Sequence, residues 1–384
     1  MPLNVALDAT PLQGPRTGIG EFCEKILEAF GARADMHVGA FSISRRGRAA
    51  LRPLLPAGVT ALGPPGPGLP ARLLHASWQR WAFPPAELYT GRVDLVHGTN
   101  FVVPPARRAA MVVTVHDLSP LHFPQFCQPA AREYPGLVKK AVDRGAWVHT
   151  DSEFVAGEVV EALGVPAERV KAVHLGVTPP RPAAGEENSR RRPLPAWVGP
   201  YVLALGRVEP RKDLPTLVGA FDRFASGHPG LALVIAGPDG WGSDQLEAAI
   251  AASAPSTRER VLRLGWVDDP VRDALIEGAT VFAYPSRYEG FGLAPLQAMA
   301  GGAPVVASAS GALKEVLGDA AWLVGAGDEG ALANALEILV EDPHARQELA
   351  RKGRERAARY SWEACASGLA ALYHECVEAA QLPR

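Results

Sequence analysis

The sequence has few of the features that mark secreted, membrane-spanning or nucleic-acid-binding proteins. Its four cysteines, Cys23, Cys127, Cys365 and Cys376, are scattered without a C-x-x-C pair, so neither a disulfide framework nor a zinc site is indicated. There is no apolar run of about 18 residues and no basic segment before the first apolar stretch, which argues against a membrane span or signal peptide. The formal net charge is only −2, so nothing favours nucleic acid as a partner. We expect a cytoplasmic protein.

The 384 residues suffice for two domains of about 150–200 residues each. Short runs rich in Val, Ile and Leu alternate with longer amphipathic segments, a pattern typical of parallel sheets covered by helices. We therefore predict two Rossmann-like, doubly wound α/β domains. The predicted strands are 4–8, 37–42, 95–97, 111–116, 147–150 and 170–174 in the first half, and 201–205, 231–236, 261–264, 281–284 and 304–307 in the second.

Two irregular stretches divide this pattern. Residues 178–195 have little apolar content and predict a linker between the domains, and residues 57–70, rich in Gly and Pro, predict a surface loop. The expected domains are residues 1–190 and 196–361, followed by an amphipathic helix over 362–380. Further helices are predicted at 21–30, 130–145, 153–163, 213–224 and 244–252.

The segment 204–215 follows a predicted strand and leads into a helix, with Asp213 suited to the N-cap position. Arg207, Arg211 and Lys212 would then lie near the positive end of the helix dipole, where cations are unfavourable unless an anion joins them. A diphosphate would supply that anion. The alternative is a set of solvated loop cations.

Residues 284–293 join another predicted strand to a helix over 294–300. Gly290 and Gly292 would let a ligand approach the backbone, and the helix start offers N–H groups. Glu289 can accept hydrogen bonds from sugar hydroxyls. Its structural alternative is a carboxylate that stabilises the start of the helix.

His116 ends a predicted strand, at the sheet edge where open α/β sheets bind ligands. A single histidine there is often structural, but the cations and Glu289 expected at the matching edge of the other half favour a functional role. The turn Gly18-Ile-Gly20 is a weaker candidate, because its spacing is not G-x-G-x-x-G. A turn without a ligand explains it equally well.

Nothing in the sequence indicates a metal. No D-x-D motif stands beside a strand end, and Asp268-Asp269 falls in a predicted turn. If a diphosphate leaves at this site, Arg and Lys must neutralise it instead of Mg²⁺. We expect neither a metal nor another cofactor.

Together these segments resemble glycosyltransferase family 4 over nearly the whole chain. The resemblance implies the GT-B fold, in which two Rossmann-like domains face a central cleft and a last helix, here within 362–384, crosses back to the N-terminal domain. It also implies a retaining, metal-independent transfer, with a nucleotide-sugar donor held mainly by the C-terminal domain and the acceptor by the N-terminal domain. It is carried by Gly18-Ile-Gly20, His116-Asp117, Asp151-Ser152, Gly206-Arg207 with Lys212, and Pro285-Ser-Arg-Tyr-Glu289-Gly-Phe-Gly-Leu293.

Matched by position, the resemblance assigns Arg207 and Lys212 to the diphosphate and to the charge that develops as it leaves. His116 would meet a hydroxyl of the donor sugar, and Glu289 would bind the transferred sugar near its reacting face. The wording of residues 114–124 is most similar to bacterial mannosyltransferase-like members, so GDP-mannose is the first donor expected, with a glycan, glycolipid or small glycoside as acceptor. The remaining donor-binding residues would be Gly18, Gly206, Gly290, Phe291, Gly292, Leu293 and Gln297.

One position departs from the family pattern. The family has Glu-x7-Glu, whose second Glu grips the ribose hydroxyls, and this chain has Gln297 there. An amide can accept one hydrogen bond and donate another, but it lacks the charge-assisted pair, which is about twice as strong. A tolerated substitution, an altered donor such as a dTDP-sugar, and lost activity all stay open.

Two other functional classes fit the same fold, a sugar-nucleotide 2-epimerase and a non-catalytic sugar-nucleotide-binding protein. On the acceptor side, a basic and aromatic set could dock an anionic membrane that carries a lipid-linked acceptor, although a solvated face is the simpler explanation. The set comprises Arg45, Arg46, Arg48, Arg52, Arg72, Arg80, Trp78 and Trp81.

Overall fold

The computed structural model describes residues 2–14, 17–43, 47–63, 70–127, 129–181, 193–195 and 198–381. The chain forms two compact units, Met1–Gly176 with Ser361–Arg384, and Val177–Tyr360. The division lies earlier than residue 190, because the backbone N–H of Val177 donates to Tyr360 O at 3.1 Å and that of Arg181 to the Asp273 carboxylate at 3.1 Å. Most of the predicted linker, residues 182–192 and 196–197, lies outside the described residues.

The first unit is built on a parallel sheet whose strand order is β3-β2-β1-β4-β5-β6-β7. β3 corrects the prediction of a surface loop over 57–70, because Thr60 and Ala61 pair with Gly39 and Ala40. A strand of two residues carries no periodicity that a sequence pattern could reveal. The strands are β1 (Leu3–Asp8), β2 (Met36–Phe41), β3 (Thr60–Ala61), β4 (Leu95–Gly98), β5 (Ala110–Val115), β6 (Trp147–Thr150) and β7 (Val170–Ala172).

Two helices of the first unit begin at side-chain caps where the chain leaves the sheet. Thr17 Oγ1 accepts the Gly20 N–H at 3.2 Å, and Ser152 Oγ accepts the Val155 N–H at 3.2 Å. The helix predicted over 130–145 begins only at Tyr134, since a 3₁₀ turn precedes it. The helices are α1 (Gly18–Gly31), α2 (Gly47–Leu51), α3 (Ala71–Arg80), α4 (Glu87–Thr90), α5 (Ser119–His122), α6 (Tyr134–Asp143) and α7 (Glu153–Leu163).

The second unit repeats this plan with strand order β10-β9-β8-β11-β12-β13. All described pairings in it are parallel, and the central strands are buried along their length, as apolar runs without alternation predict. The short edge strand β13 was not predicted. The strands are β8 (Tyr201–Leu205), β9 (Ala232–Ala236), β10 (Val261–Gly265), β11 (Val281–Tyr284), β12 (Val305–Ser308) and β13 (Trp322–Val324).

Helices cover this second sheet. Asp268, predicted in a turn, is the N-cap of one of them and accepts the Val271 N–H at 3.0 Å. The helices are α8 (Leu214–Phe224), α9 (Ser243–Ala252), α10 (Pro255–Arg258), α11 (Asp269–Gly278), α12 (Leu293–Ala300), α13 (Leu313–Leu317), α14 (Glu329–Glu341) and α15 (Pro343–Ala357).

The last helix, α16 (Trp362–Gln381), returns to the first unit and packs on α1 and β5, which confirms the expected crossing. Among the described residues no helix has the length and apolar character that a bilayer span requires.

A buried chain of four side chains ties α16 to the sheet, and we call it the histidine relay (Tyr373, His97, Thr114 and His149). Its successive contacts are 2.6, 2.7 and 2.9 Å long, and His149 Nε2 ends it 3.1 Å from the Val173 carbonyl. Since a carbonyl only accepts, His149 Nε2 must donate to it. If both rings are neutral, His149 Nδ1 accepts from Thr114, Thr114 accepts from His97 Nε2, and His97 Nδ1 accepts from Tyr373. Burial agrees, because it lowers the pKa of His149 to about 4 and that of His97 well below its ordinary value.

Candidate functional site

The loops after β8 and β11, two neighbouring strands of the second unit, are tied together at the carboxyl edge of the sheet. The Arg287 N–H donates to the Arg211 carbonyl at 2.7 Å, and Ser286 Oγ donates to the same carbonyl at 3.0 Å. Open α/β sheets bind ligands at this edge. The backbone thus brings together the two segments that the sequence singled out.

These loops carry the ionic cluster, which comprises Arg207, Glu209, Arg211, Lys212 and Glu289. Glu289 Oε1 receives Lys212 Nζ at 2.6 Å and Arg211 Nη1 at 2.8 Å, and Ser286 Oγ donates to it at 2.6 Å. Glu289 Oε2 accepts no hydrogen bond from the residues that the structure describes. One carboxylate oxygen therefore anchors the cluster and the other remains an acceptor.

Burial and charge act in opposite directions on Glu289. Burial alone raises the pKa of its carboxyl group, but Arg211 and Lys212 outweigh this effect and hold the pKa at about 2. Burial lowers the pKa of Lys212, and Glu289 offsets part of that change. The Lys212 ammonium also contacts the Tyr284 hydroxyl and lies 4.6 Å from the centre of that ring. Glu289 is therefore ionised at neutral pH.

Arg207 is the least constrained cation of the cluster. Its side chain is 38% exposed, with Glu209 at 3.9 Å and the Asp239 carbonyl at 3.3 Å. The negative charge expected beside three clustered cations is thus partly supplied by the protein, since Glu289 pairs with Lys212 and Arg211, and Glu209 also pairs with Arg211. Arg207 retains the capacity to bind an anionic ligand.

Asp213 differs from its predicted role. It precedes α8 in the left-handed conformation, with φ of 50°, and its side chain makes no capping bond. Its carboxylate instead pairs with Arg287 Nε at 2.9 Å. This ion pair is another link between the two loops, and it is a reason for a non-glycine residue to adopt a conformation that costs roughly 1 kcal/mol or more.

The glycine-flanked loop adopts the predicted strand-loop-helix path. Gly292 has φ of 96° and precedes α12, whose start has no side-chain cap. Gly290 and Phe291 are buried, and the Phe291 ring packs edge-on against Tyr360 with centroids 5.7 Å apart. Leu293 is the first residue of α12 and Gln297 lies buried in the same helix, while Gly206, with φ of 137°, directly follows β8.

Gly311 is a residue that the sequence analysis missed. Its φ is 53°, and a Cβ atom there would lie 2.4 Å from the Glu289 carbonyl oxygen. The backbone of the next residue, Ala312, donates to that same oxygen at 2.9 Å. The segment after β12 therefore packs against the backbone of Glu289 and holds it by a hydrogen bond, and only glycine fits at position 311.

His116 and Gly18, the other predicted site residues, belong to the first unit. His116 follows β5 and is buried, with Nδ1 2.7 Å from Asp151 Oδ2 and Nε2 2.9 Å from the Thr99 carbonyl. Gly18 is the exposed first residue of α1. His116 thus has protein partners at both nitrogens, which a position at the end of a strand does not reveal.

Other residues of these sites were also not predicted. Arg211 was noted in the sequence but not selected as a site residue, although its position beside Lys212 was a signal. Tyr284 and Ser286 lie inside the recognised loop, and their contacts with Lys212 and Glu289 depend on the fold. Asp151, recognised only as part of a supporting motif, pairs with His116 through a register that no sequence pattern contains.

Comparison with known proteins agrees with this architecture. Residues 17–181 match the family described as Glycosyltransferase Family 4, and residues 186–356 match Glycosyl transferases group 1. O-antigen chain mannosyltransferase B of Escherichia coli is 32% identical over 301 residues, covering 77% of this chain and 76% of that protein. Sucrose-phosphate synthase from Thermosynechococcus elongatus aligns with a TM-score of 0.75 at 22% identity, covering 98% of this chain and 100% of that one. HepE of Anabaena in complex with UDP aligns with a TM-score of 0.67 at 20% identity, with coverage of 98% and 100%.

The two parallel-sheet Rossmann-like units and these structural neighbours show a GT-B fold. The extent of the match to the E. coli mannosyltransferase and the two family matches give the narrower assignment. The chain belongs to glycosyltransferase family 4.

Proposed function

We propose that the chain transfers a sugar from a nucleotide-diphosphate donor, with GDP-mannose as the first candidate, to a hydroxyl of a glycan, glycolipid or glycoside. The observation that carries this proposal is the ionic cluster, in which three cations share two carboxylates at the carboxyl edge of a parallel sheet. The O-antigen mannosyltransferase relative supports mannose as the sugar. Because the HepE structure contains UDP, UDP-sugars are also candidate donors.

In this proposal the cluster stabilises the leaving diphosphate. Arg207, exposed and weakly paired, binds phosphate oxygens, and Lys212 stabilises the negative charge that grows as the glycosidic bond breaks. The amide groups at the start of α12 add a positive dipole end. Glu289 Oε2 accepts a hydrogen bond from a hydroxyl of the transferred sugar.

We also propose that the anomeric configuration is retained. The acceptor hydroxyl attacks from the face that the diphosphate leaves, through an oxocarbenium-like state, and the diphosphate takes the proton. Glu289 is unsuited to acid catalysis because its pKa of about 2 leaves it ionised at neutral pH. Its Oε1 already accepts hydrogen bonds from Lys212 and Ser286 and forms an ion pair with Arg211, which makes that oxygen a poor nucleophile.

Metal independence is a further part of the proposal, with Arg207, Arg211 and Lys212 in the role that Mg²⁺ has elsewhere. Among the described residues, one group could hold a metal ion: His228, Glu337 and Glu341, whose ligand atoms lie within 4.8 Å of one another. His228 precedes β9, so this group lies at the opposite edge of the sheet from the ionic cluster.

A donor screen tests the function directly. The purified chain is incubated with GDP-mannose, UDP-glucose and dTDP-glucose, with and without EDTA, and the products are identified by NMR. We expect free nucleoside diphosphate and an α-linked product, unaffected by EDTA. Formation of an epimer would establish the epimerase alternative, binding without turnover would establish the non-catalytic one, and a β-linked product would exclude retention.

We further propose that the first unit contacts an anionic bilayer on the cytoplasmic side. Leu73 and Arg80 share one face of α3, and Trp81 and Phe83 follow the helix. Leu73, Trp81 and Phe83 are 62%, 71% and 54% exposed. Apolar side chains beside a cation match a surface with acyl chains beneath anionic headgroups.

The structure alters the predicted membrane set. Trp78 is buried and its Nε1 donates to the Pro84 carbonyl at 2.9 Å, so it belongs to the core. Arg45 and Arg46 lie outside the described residues, whereas Arg52 and Arg72 are exposed.

Co-sedimentation with vesicles that contain phosphatidylglycerol tests the contact at low salt. Trp81→Ala should weaken binding several-fold, because an interfacial aromatic side chain is lost. Trp266→Ala, which removes an exposed tryptophan from the second unit, is the matched control and should bind like the wild type. Absence of wild-type binding at low salt would exclude the membrane contact.

A further inference from the structure

His116 in the first unit has two partners that both accept hydrogen bonds. Asp151 Oδ2 lies 2.7 Å from Nδ1, and the Thr99 carbonyl oxygen lies 2.9 Å from Nε2. The carbonyl cannot donate, so Nε2 must carry a proton. A second proton must then lie between Nδ1 and Asp151, because two bare acceptors would repel each other at 2.7 Å.

That second proton can reside on either partner. On the ring it gives an imidazolium paired with a carboxylate, and on Asp151 it gives a neutral pair. A free aspartic acid is about 400-fold more acidic than a free imidazolium, which favours the ring. Burial favours the neutral pair, since it penalises both charges.

The surroundings of the pair favour the charged form. Burial lowers the pKa of His116, but the charge and hydrogen bond of Asp151 and the Thr99 carbonyl together outweigh it, so the pKa is raised. Asp117, next in the chain, also favours the cation, whereas His97 and His149 are neutral in the relay. Burial and the charge of Asp151 both raise the pKa of the Cys365 thiol on α16, which is consistent with an ionised Asp151.

Among the residues that the structure describes, His116 is the ion-pair partner of Asp151. Asp151 is 2% exposed, and its Oδ1 has no hydrogen-bond partner in the same described part of the chain. A buried carboxylate with a single partner is stabilised best when that partner carries the opposite charge. The rings of Phe22 and Phe101, 5.6 and 6.2 Å from the His116 ring, keep this pair in an apolar setting.

We propose that Asp151 is a positioning residue that keeps His116 doubly protonated and fixes its ring plane. His116 then acts as a hydrogen-bond donor of fixed charge and never as a base. A ligand hydroxyl or phosphate oxygen at this site receives its Nε2–H in place of the Thr99 carbonyl. The link to catalysis rests on the proposed sugar transfer, but the protonation state does not.

The protonation state is measured by NMR on the full chain labelled with ¹⁵N-histidine. His116 is assigned from the signal that His116→Gln removes. An imidazolium shows two similar nitrogen shifts, whereas a neutral ring shows two widely separated ones. We expect the wild-type ring to stay doubly protonated from pH 6 to 8, and to become neutral in this range in Asp151→Asn, which keeps the shape but removes the charge.

Kinetics on the same variant separate positioning from stability. Asp151→Asn should lower kcat about tenfold or more and give a rate that falls as the pH rises, with a melting temperature close to that of the wild type. Asp143→Asn is the matched control, because its carboxylate is 61% exposed on the same unit and should leave both measurements unchanged.

Each result bears on a different statement. A neutral wild-type ring at pH 7.5, or a ring that stays protonated in Asp151→Asn, would overturn the proposal. An unchanged pH profile for Asp151→Asn would overturn its part in transfer. A protonated ring in a wild-type chain that turns over no sugar nucleotide would support the charge state and reject only the proposed function.

Discussion

In the second unit the ionic cluster gathers full charges at the edge of a sheet, where Lys212 and Arg211 converge on one oxygen of Glu289. In the first unit the histidine relay runs through the sheet with no full charge, and every proton in it points in one direction. Both sets are hydrogen-bonded, but the relay is fully buried whereas the ionic cluster includes the partly exposed Arg207. They differ in what a change of charge would do to them.

The comparison separates two uses of buried polar groups. The relay has a complete set of donors and acceptors, so it fixes α16 on the sheet and offers nothing to a ligand. The ionic cluster keeps an exposed cation in Arg207 and an acceptor in Glu289 Oε2. Incomplete internal pairing at a sheet edge is therefore the feature that distinguishes the proposed ligand site from the relay.

The largest effect is expected from Lys212→Ala. This change removes a buried ammonium from Glu289 and from the proposed diphosphate site, so kcat should fall roughly a thousandfold, about 4 kcal/mol. Arg207→Ala should cost less, since that side chain is partly exposed. Steady-state kinetics with the donor that the screen identifies provide the measurement.

Lys139→Ala is the control for these variants, because Lys139 is 60% exposed on the other unit. If kcat is unchanged in both Lys212→Ala and Arg207→Ala, the cluster has no part in charge stabilisation. The ionic cluster would then differ from the relay in its structure but not in any catalytic role.

The second prediction concerns acid and applies to the relay. The folded pKa of His149 is about 4 against an ordinary 6.5, so the unfolded chain binds more protons as the pH falls through this window and the fold loses stability. His97 acts in the same direction. Asp8 opposes them, because burial raises its pKa to about 6 and the folded state takes its proton first.

We expect a net loss of about 3 kcal/mol between pH 6.5 and 4.5, since two histidines oppose one carboxyl group. Urea unfolding followed by circular dichroism at these pH values measures it. Glu289 should contribute little here, because its carboxyl group in the unfolded chain takes up a proton only from about pH 4.5 downward, at the lower end of this window. In Asp8→Asn the acid loss should be larger, and a wild-type stability that rises on acidification would contradict the proton assignment of the relay.

The third prediction tests the support behind Glu289. In Gly311→Ala a Cβ would meet the Glu289 carbonyl oxygen at 2.4 Å and its nitrogen at 2.9 Å, so the carboxylate must shift. We expect kcat/KM to fall about a hundredfold, because a displacement of about 1 Å can cost that much. Gly230→Ala, where a Cβ meets nothing within 4 Å, is the control and should behave like the wild type.

Much of the candidate site in the second unit could be predicted, because its charged residues lie in two short segments of the sequence. Arg207, Lys212 and Glu289 lie in loops that each connect a strand to a helix, and the parallel sheet then brings the ends of β8 and β11 side by side. Strand pattern and residue type were sufficient for that step. The link between Asp213 and Arg287 was not predictable, because a capping role for Asp213 was the simplest local solution.

The first unit was less predictable for a related reason. His116, Asp151 and Thr99 come from the ends of three different strands, and the relay adds Tyr373 from the far end of the chain. A sequence shows that His116 ends a strand, but the partners of each ring nitrogen depend on register. Gly311 is likewise defined by a close approach between segments that are distant in sequence.

The smallest effect is expected from Gln297→Glu, which restores the carboxylate of the family pattern. Gln297 is 6% exposed in α12, in the unit that carries the ionic cluster, so a new charge there sharpens the contrast with the neutral relay. We expect turnover to stay within roughly tenfold, about 1.4 kcal/mol, if the amide is a tolerated substitution. Gln245→Glu, an exposed position on α9, controls for the added charge. Rates with GDP-mannose and dTDP-glucose decide between a tolerated substitution and an altered donor. A gain confined to GDP-mannose, the ribose donor, would show that Gln297 had adapted the site to a deoxyribose nucleotide. Complete loss of activity with both donors would refute the tolerated substitution.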